Sequence, residues 1–154
     1  MNFRAILSST KFYGILLVTY VIAQLGYWYF DTSVPIVVLR ELAVQIAAPG
    51  EIIKVAIPIK ASKHTGCSIL VSRYVLDSEG QTVDVMATRF ISERGLDRIF
   101  KKSPNAWKFP VKIPTEIEEG EALIITQHAY ICNPLNYIWP IDQDIVIRVI
   151  IKKQ

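Results

Sequence analysis

The sequence predicts a mainly β protein in which an N-terminal transmembrane helix precedes an antiparallel, immunoglobulin-like β-sandwich of about seven strands. Residues 12–30 carry no charged side chain and are mostly apolar. After them, short β-branched runs alternate with turn residues over roughly 120 residues, which is typical of a sandwich of antiparallel strands. Apolar residues at helical spacing are rare in that part of the chain.

The uncharged segment 12–30 has the length of a membrane span. As a helix it extends about 28 Å, close to the roughly 30 Å hydrocarbon core of a bilayer. A cleaved signal sequence is the alternative, but its apolar part is usually about 7–15 residues long and ends in small residues. Here the segment ends in the aromatic residues Tyr27, Trp28, Tyr29 and Phe30. Such rings suit the headgroup layer, so we predict a retained anchor that contacts the lipid bilayer through residues 12–30.

Charges on either side of the span predict its orientation. Arg4 and Lys11 precede it, Asp31 follows it, and the next basic residue is Arg40. Because cytoplasmic flanks carry the excess of Lys and Arg, we expect residues 1–11 to form a cytoplasmic tail. Residues 31–154 would then form a periplasmic or otherwise extracytoplasmic domain of a single-pass membrane protein.

Candidate strands follow in order as short apolar or β-branched runs bounded by turn residues. They lie near residues 35–45, 51–60, 67–77, 81–91, 107–113, 121–132 and 144–152. The turn from Asp77 to Gly80 predicts a hairpin, since glycine supplies the positive φ that such turns need. Pro110 removes a backbone donor, so its strand should lie at a sheet edge. Residues 92–102 predict one short helix with Ser92 as its N-cap.

Cys67 and Cys132 are the two cysteines of the chain, and both fall in the domain that we place outside the cytoplasm, where disulfides form. We predict a bond between neighbouring strands with Cα atoms about 4.4–6.8 Å apart. Two separate buried thiols are the alternative. The run Tyr130-Ile131-Cys132 looks like the Tyr-x-Cys of immunoglobulin strands, but the first Trp after Cys67 is Trp107, too distant for a true immunoglobulin domain.

The histidines offer a competing interpretation of the cysteines. His64, Cys67, His128 and Cys132 include the residue types of a zinc site. On one strand, however, His128 and Cys132 would lie about 13 Å apart, too far to share a metal. We therefore expect a disulfide, two surface histidines, and no metal or other cofactor.

Sequence motifs of catalysis do not occur. The chain has no nucleophile elbow, phosphate-binding glycine loop or zinc-protease pattern. We expect a protein that is not an enzyme, with an unrecognised enzyme or a zinc protein as the alternative.

A local basic segment lies at residues 94–112, interleaved with Phe100 and Trp107. Its cations are Arg94, Arg98, Lys101, Lys102, Lys108 and Lys112. Such a cluster can contact phosphate in lipid headgroups or nucleic acid, which defines an alternative function. Because an acidic turn at residues 116–121 follows directly, we expect a solvated segment of balanced charge and no nucleic-acid partner.

The segment from Asn133 to Ile141 combines a predicted turn with large apolar residues. Asn133 and Pro134 favour the turn, and the apolar residues after it are Leu135, Tyr137, Ile138 and Trp139. We expect them to fold back on the domain, with Trp139 buried. A partner-binding loop is the alternative, because aromatic residues on a stiff loop make good binding hot spots.

Three features together carry a resemblance: the anchor, the run Tyr74-Val-Leu-Asp-Ser-Glu-Gly80 after a cysteine, and the element Tyr130-Ile-Cys-Asn-Pro-Leu-Asn-Tyr-Ile-Trp-Pro-Ile141. The chain resembles small single-pass membrane proteins of tailed bacteriophages. This resemblance implies a phage origin and a location in the cell envelope or the virion, and it brings no biochemical activity. We expect a membrane-anchored structural or protein-interaction module with a protein partner.

Overall fold

The computed structural model describes residues 3–39, 42–61 and 66–152 of the 154-residue chain. The chain divides into two compact units, Met1–Ser33 and Val34–Gln154. In the first unit one helix, α1, spans Phe3–Phe30. Its part Lys11–Phe30 is long and apolar enough to cross a membrane, and none of those residues is buried. At about 1.5 Å per residue these 20 residues extend about 30 Å.

The second unit is mainly β, as predicted, and its described residues contain eight strands rather than about seven. In chain order its elements are β1 (Ile36–Val38), β2 (Gln45–Ala47), β3 (Ile52–Ala61), β4 (Ser68–Leu76), β5 (Thr82–Ile91), α2 (Glu93–Lys102), β6 (Ala106–Lys112), β7 (Gly120–Ile131) and β8 (Ile141–Ile151). A 3-10 turn, Pro134–Tyr137, precedes β8.

The strands form two sheets, one of three strands in the order β1-β3-β6 and one of five in the order β2-β8-β7-β4-β5. Neighbouring strands pair antiparallel except β2 and β8, which run parallel with Ile46 opposite Ile150. The prediction of purely antiparallel strands is therefore wrong at this pair.

The predicted strand at 35–45 is also wrong as one element. β1 belongs to the three-stranded sheet and β2 to the five-stranded sheet, while residues 40 and 41 between them lie outside the described residues. Alternation of apolar residues reports burial, not the identity of the partner strand, so it does not reveal a change of sheet.

Side chains along the strands alternate between buried and exposed, and the buried ones form the core. Ile53, Val55 and Ile57 of β3 are buried, and the residues between them are exposed, because successive side chains of a strand point to opposite faces. The same alternation runs through β6, β7 and β8. Buried residues from both sheets form one hydrophobic core, in which each large aliphatic side chain contributes roughly 1.5–3 kcal/mol.

The local signals for α2 and β6 are confirmed. Ser92 caps α2, and its Oγ accepts a hydrogen bond from the Gly95 amide at 3.4 Å. Leu96 is the buried residue of the helix and packs in the core. Among the described strands β6 pairs only with β3, so Pro110 lies on an edge strand.

The predicted hairpin joins β4 to β5. Asp77 Oδ1 accepts hydrogen bonds from the amides of Glu79 and Gln81, at 3.0 and 2.8 Å. Gly80 has a φ of +80°, which a glycine adopts at little cost. These contacts hold β4 and β5 in register near one end of the five-stranded sheet.

Candidate functional site

The 133–141 loop, residues Asn133 to Ile141, begins at a disulfide between two paired strands. Ser68 of β4 lies opposite Ile131 of β7, so Cys67 and Cys132 face each other one residue further along. Their sulfur atoms lie 2.09 Å apart, at bonding distance, as predicted, and their Cα atoms lie 4.1 Å apart. This separation is slightly below the predicted range and close to the about 4.5 Å of directly opposite residues in antiparallel strands.

Asn136 holds the loop from inside. Its side chain is 5% exposed, and its Oδ1 accepts hydrogen bonds from the amides of Cys132 and Asn133, at 3.1 and 3.2 Å. Its Nδ2 donates to the Trp139 carbonyl at 3.0 Å. One buried amide therefore connects the beginning of the loop to its end.

A second asparagine caps the 3-10 turn. Asn133 Oδ1 accepts hydrogen bonds from the amides of Leu135 and Asn136, at 2.9 and 3.2 Å. Together the two side chains form a reciprocal capping box. Pro134 at the start of the turn restricts φ further. The loop backbone is thus fixed by a covalent bond, two asparagines and a proline.

The large apolar residues of the loop point outward, so the expectation of a buried Trp139 is wrong. Tyr137, Ile138 and Trp139 are 76%, 67% and 62% exposed, and Leu135 is half-buried. The interior position belongs to Asn136, because its amide satisfies backbone groups that an apolar side chain would leave without partners. The arrangement is a rigid loop that presents aromatic and aliphatic surface to its surroundings.

The basic segment is divided between two elements. Arg94, Arg98, Lys101 and Lys102 lie on α2, Lys108 and Lys112 lie on β6, and all six are exposed. Phe100 and Trp107 are not interleaved with them on the surface: Phe100 packs partly against the core and Trp107 is buried. No ion pair joins the six cations to the acidic turn at 116–121 in the described part of the chain.

Three of these cations, Arg98, Lys102 and Lys108, line one cavity. Arg73 and Arg89, which lie outside the basic segment, line the same cavity. A signal for Arg73 exists in the sequence, since it occupies an inward position of β4 between Val71 and Val75, which are buried. An arginine at a core-facing strand position is unusual.

The expectation of a surface histidine at position 128 is also wrong. His128 is 1% exposed and stacks on Trp107, with ring centroids 4.8 Å apart. Its Nδ1 lies 3.4 Å from the hydroxyl of Tyr130, which in turn donates to Gln143 Oε1 at 3.0 Å. Burial, reinforced by the charge of Arg73, lowers the pKa of His128 to about 4. Burial raises the pKa of Tyr130, so both rings are neutral near pH 7.

The zinc alternative loses two of its four ligands, because Cys67 and Cys132 bond to each other. His64 lies outside the described residues. Within those residues no group of three or more histidine, cysteine, aspartate or glutamate side chains could hold a metal ion.

The aromatic residues predicted to lie at the membrane interface occupy the last turn of α1. The rings of Tyr27, Tyr29 and Phe30 are exposed, and Trp28 is half-buried. They lie at the C-terminal end of the segment that is apolar enough to cross a membrane. In comparisons with known proteins, the chain matches no protein-family model and no curated protein sequence.

Proposed function

We propose that this chain is a membrane-anchored β domain that binds a partner protein through its 133–141 loop. The observation that carries the proposal is the exposure of Tyr137, Ile138 and Trp139 on a backbone fixed by the disulfide and by Asn136. Aromatic residues are the side chains over-represented among binding hot spots. No catalytic role is assigned to any residue of the loop.

The stiffness of the loop favours binding. Ordering a flexible loop during association costs free energy, and a loop already held in its bound form avoids that cost. Cys132, Asn133 and Asn136 restrain the backbone on the N-terminal side of the exposed triplet, and the Asn136 bond to the Trp139 carbonyl restrains the other side. The exposed rings can therefore enter an apolar pocket of the partner with little loss of backbone entropy.

A protein is the partner that this chemistry fits. Loop residues 133–141 carry no basic side chain, and their one apolar cluster lies between Pro134 and Pro140, so the loop offers no attraction to phosphate groups. A concave apolar pocket lined by polar groups would complement the exposed Trp139 and the hydroxyl of Tyr137.

The cellular setting of the proposal follows from the sequence. The basic residues Arg4 and Lys11 before the span support an amino terminus in the cytoplasm and residues 31–154 on the other side of the membrane. A disulfide is compatible with that oxidising side. The resemblance to phage membrane proteins adds an envelope or virion location, and an immunoglobulin-like sandwich is the architecture that we propose for the two sheets.

Site-specific photo-cross-linking of the full-length chain, in membranes of the cells that naturally contain it, tests the proposal. A benzophenone amino acid replaces Tyr137 in one variant and Phe90 in the matched control. Phe90 lies on β5 and is 58% exposed. We expect one discrete protein adduct from position 137, absent from position 90 and lost when Trp139→Ala is added.

Two results would contradict the proposal. Position 137 could give adducts with lipid alone, which would make the loop a membrane-contacting element. Positions 137 and 90 could instead give the same adducts, which would mean that the loop has no selectivity. Since Trp139 is exposed, Trp139→Ala should leave the unfolding temperature unchanged, and this measurement separates lost binding from lost folding.

A further inference from the structure

A cavity of about 540 Å³ opens between β4, β5, α2 and β6. Five cations line it and define the cationic pocket: Arg73, Arg89, Arg98, Lys102 and Lys108. They come from four different elements of the fold. No carboxylate belongs to its lining in the part of the chain that the structure describes. The pocket shares no residue with the 133–141 loop, so substitutions can test the two sites separately.

The positive charge of the cationic pocket is not neutralised by the protein. Arg98 and Lys102 are four residues apart on α2, where like charges repel each other on one helix face. None of the five cations has an ion-pair partner among the described residues, where the single ion pair joins Arg148 to Glu121 at 3.9 Å. A fold that gathers like charges without an acid loses stability, and such local conflicts concentrate at functional sites.

Arg73 is the fixed donor of the pocket. Its guanidinium lies 3.8 Å from the centroid of the Phe109 ring, a distance at which cation and ring attract each other. Its Nε is buried and has no hydrogen-bond partner, which is rare and costly for a polar group. Burial, and secondarily the charge of Arg89, lowers the pKa of Arg73. An anion would relieve both the repulsion and the missing hydrogen bond.

Phosphate is the anion that suits these groups. A guanidinium presents a fork of N–H donors that matches phosphate oxygens, and lysines add point charge. A phosphomonoester carries about −1.5 to −2 charges near pH 7, so it offsets more of the charge of the five cations than one carboxylate does. A volume of about 540 Å³ falls within the range of small-molecule sites, roughly 300–1,000 Å³. Trp107 and Phe109 add an apolar wall for the rest of the ligand.

We propose that the cationic pocket binds the terminal phosphate or diphosphate group of a small ligand. That group can belong to a soluble molecule or to a lipid headgroup. Arg73 and Arg89 contact the phosphate from the five-stranded sheet, and Arg98, Lys102 and Lys108 close around it from α2 and β6.

Two binding measurements distinguish the two sources. The full-length chain in phosphatidylcholine nanodiscs is titrated with inorganic pyrophosphate by calorimetry. The same nanodiscs are mixed with vesicles that contain phosphatidic acid, or phosphatidylcholine alone, and co-flotation is measured. Pyrophosphate binding supports a soluble ligand, and flotation that requires phosphatidic acid supports a lipid headgroup.

A matched pair of double variants separates a pocket from general surface charge. Arg98→Gln with Lys102→Gln removes two exposed cations of the cationic pocket. Arg94→Gln with Lys101→Gln removes two exposed cations of the same helix that lie outside it, with the same change in net charge. We expect the first pair to weaken binding about tenfold or more and the second to weaken it less than about twofold.

The result that would overturn the proposal is equal weakening by both pairs, or no binding in either measurement. All four positions are exposed, so the variants should fold, and an unchanged unfolding temperature verifies this for each. Binding in either measurement with selective loss in the first pair supports the proposal.

Discussion

His128 of β7 stacks on Trp107 of β6 with ring centroids 4.8 Å apart and ring planes inclined by 26°. An imidazole of the five-stranded sheet thus lies almost flat on an indole of the three-stranded sheet. Tyr130, on the same strand, meets the imidazole edge-on with centroids 6.0 Å apart. Polar side chains therefore form part of the contact between the sheets, and their protonation affects stability.

The first prediction concerns acid stability. The pKa of His128 is lowered from 6.5 to about 4 in the folded protein. Between these values the unfolded chain binds a proton that the folded chain does not, so stability falls as pH falls from 6.5 to about 4. The full effect is roughly 3 kcal/mol. Denaturant unfolding of the full-length chain in detergent, at pH 7 and pH 4.5, measures it.

His128→Phe is the control for this prediction. It keeps an aromatic ring against Trp107 and removes the titrating group. The variant should lose much of the stability difference between the two pH values, while the contribution of carboxylates remains. If wild type and variant lose the same stability on acidification, His128 is not the group responsible.

The second prediction concerns the disulfide. Cys67 and Cys132 are separated by 65 residues, and closing a loop of that length stabilises by about 4 kcal/mol in the chain-entropy account. Cys67→Ala with Cys132→Ala should lower the free energy of unfolding by about that amount. Thiol labelling of the unfolded, unreduced wild-type protein checks that the bond is present. Labelled cysteines there would contradict the bond.

The third prediction concerns the hydrogen bonds that the Asn136 side chain makes inside the 133–141 loop. Asn136→Ala removes two acceptor contacts and one donor contact, and each buried group left without a partner costs about 1–3 kcal/mol. Amide hydrogen exchange at Cys132 and Asn133 should accelerate. Asn105→Ala, at an exposed asparagine in the turn before β6, is the control and should change neither exchange nor stability. Unchanged protection in Asn136→Ala would mean that the disulfide alone orders the loop.

The fourth prediction concerns membrane orientation. With Arg4 and Lys11 before the span and Asp31 after it, the carboxyl terminus should lie outside the cytoplasm. An alkaline phosphatase fused after Gln154, which is active only outside the cytoplasm, should be active. A green fluorescent reporter that depends on the cytoplasm should be dark at the same position, and the opposite pattern would reverse the orientation.

Local signals predicted local structure well. Ser92 identified the start of α2, Asp77 and Gly80 identified the hairpin, and Pro110 identified an edge strand. Each depends on backbone hydrogen bonds or φ values within a few residues, which residue type controls directly. The cysteine pairing was also predictable, since the chain has two cysteines.

Features that depend on distant contacts were not predictable in this way. Whether Trp139 is buried depends on which loop residue reaches the interior, and Asn136 takes that place by satisfying backbone groups. Arg73 stands at an inward position of β4, but neither that position nor the neighbours of His128 identify the rings that each side chain meets. Their burial follows from Trp107 and Phe109 on β6, which belongs to the other sheet.

The Cys67–Cys132 bond also sets how far the domain can stretch under mechanical load. If tension is applied between residues 34 and 152, the strands of three residues, β1 and β2, detach with few hydrogen bonds to break. The segment closed by the bond, with a sequence separation of 65, stays out of the extending chain, which shortens the final contour length by about 220 Å. The bond would therefore limit how far the tethered domain can extend. Force spectroscopy with and without a reducing agent should measure that difference in contour length.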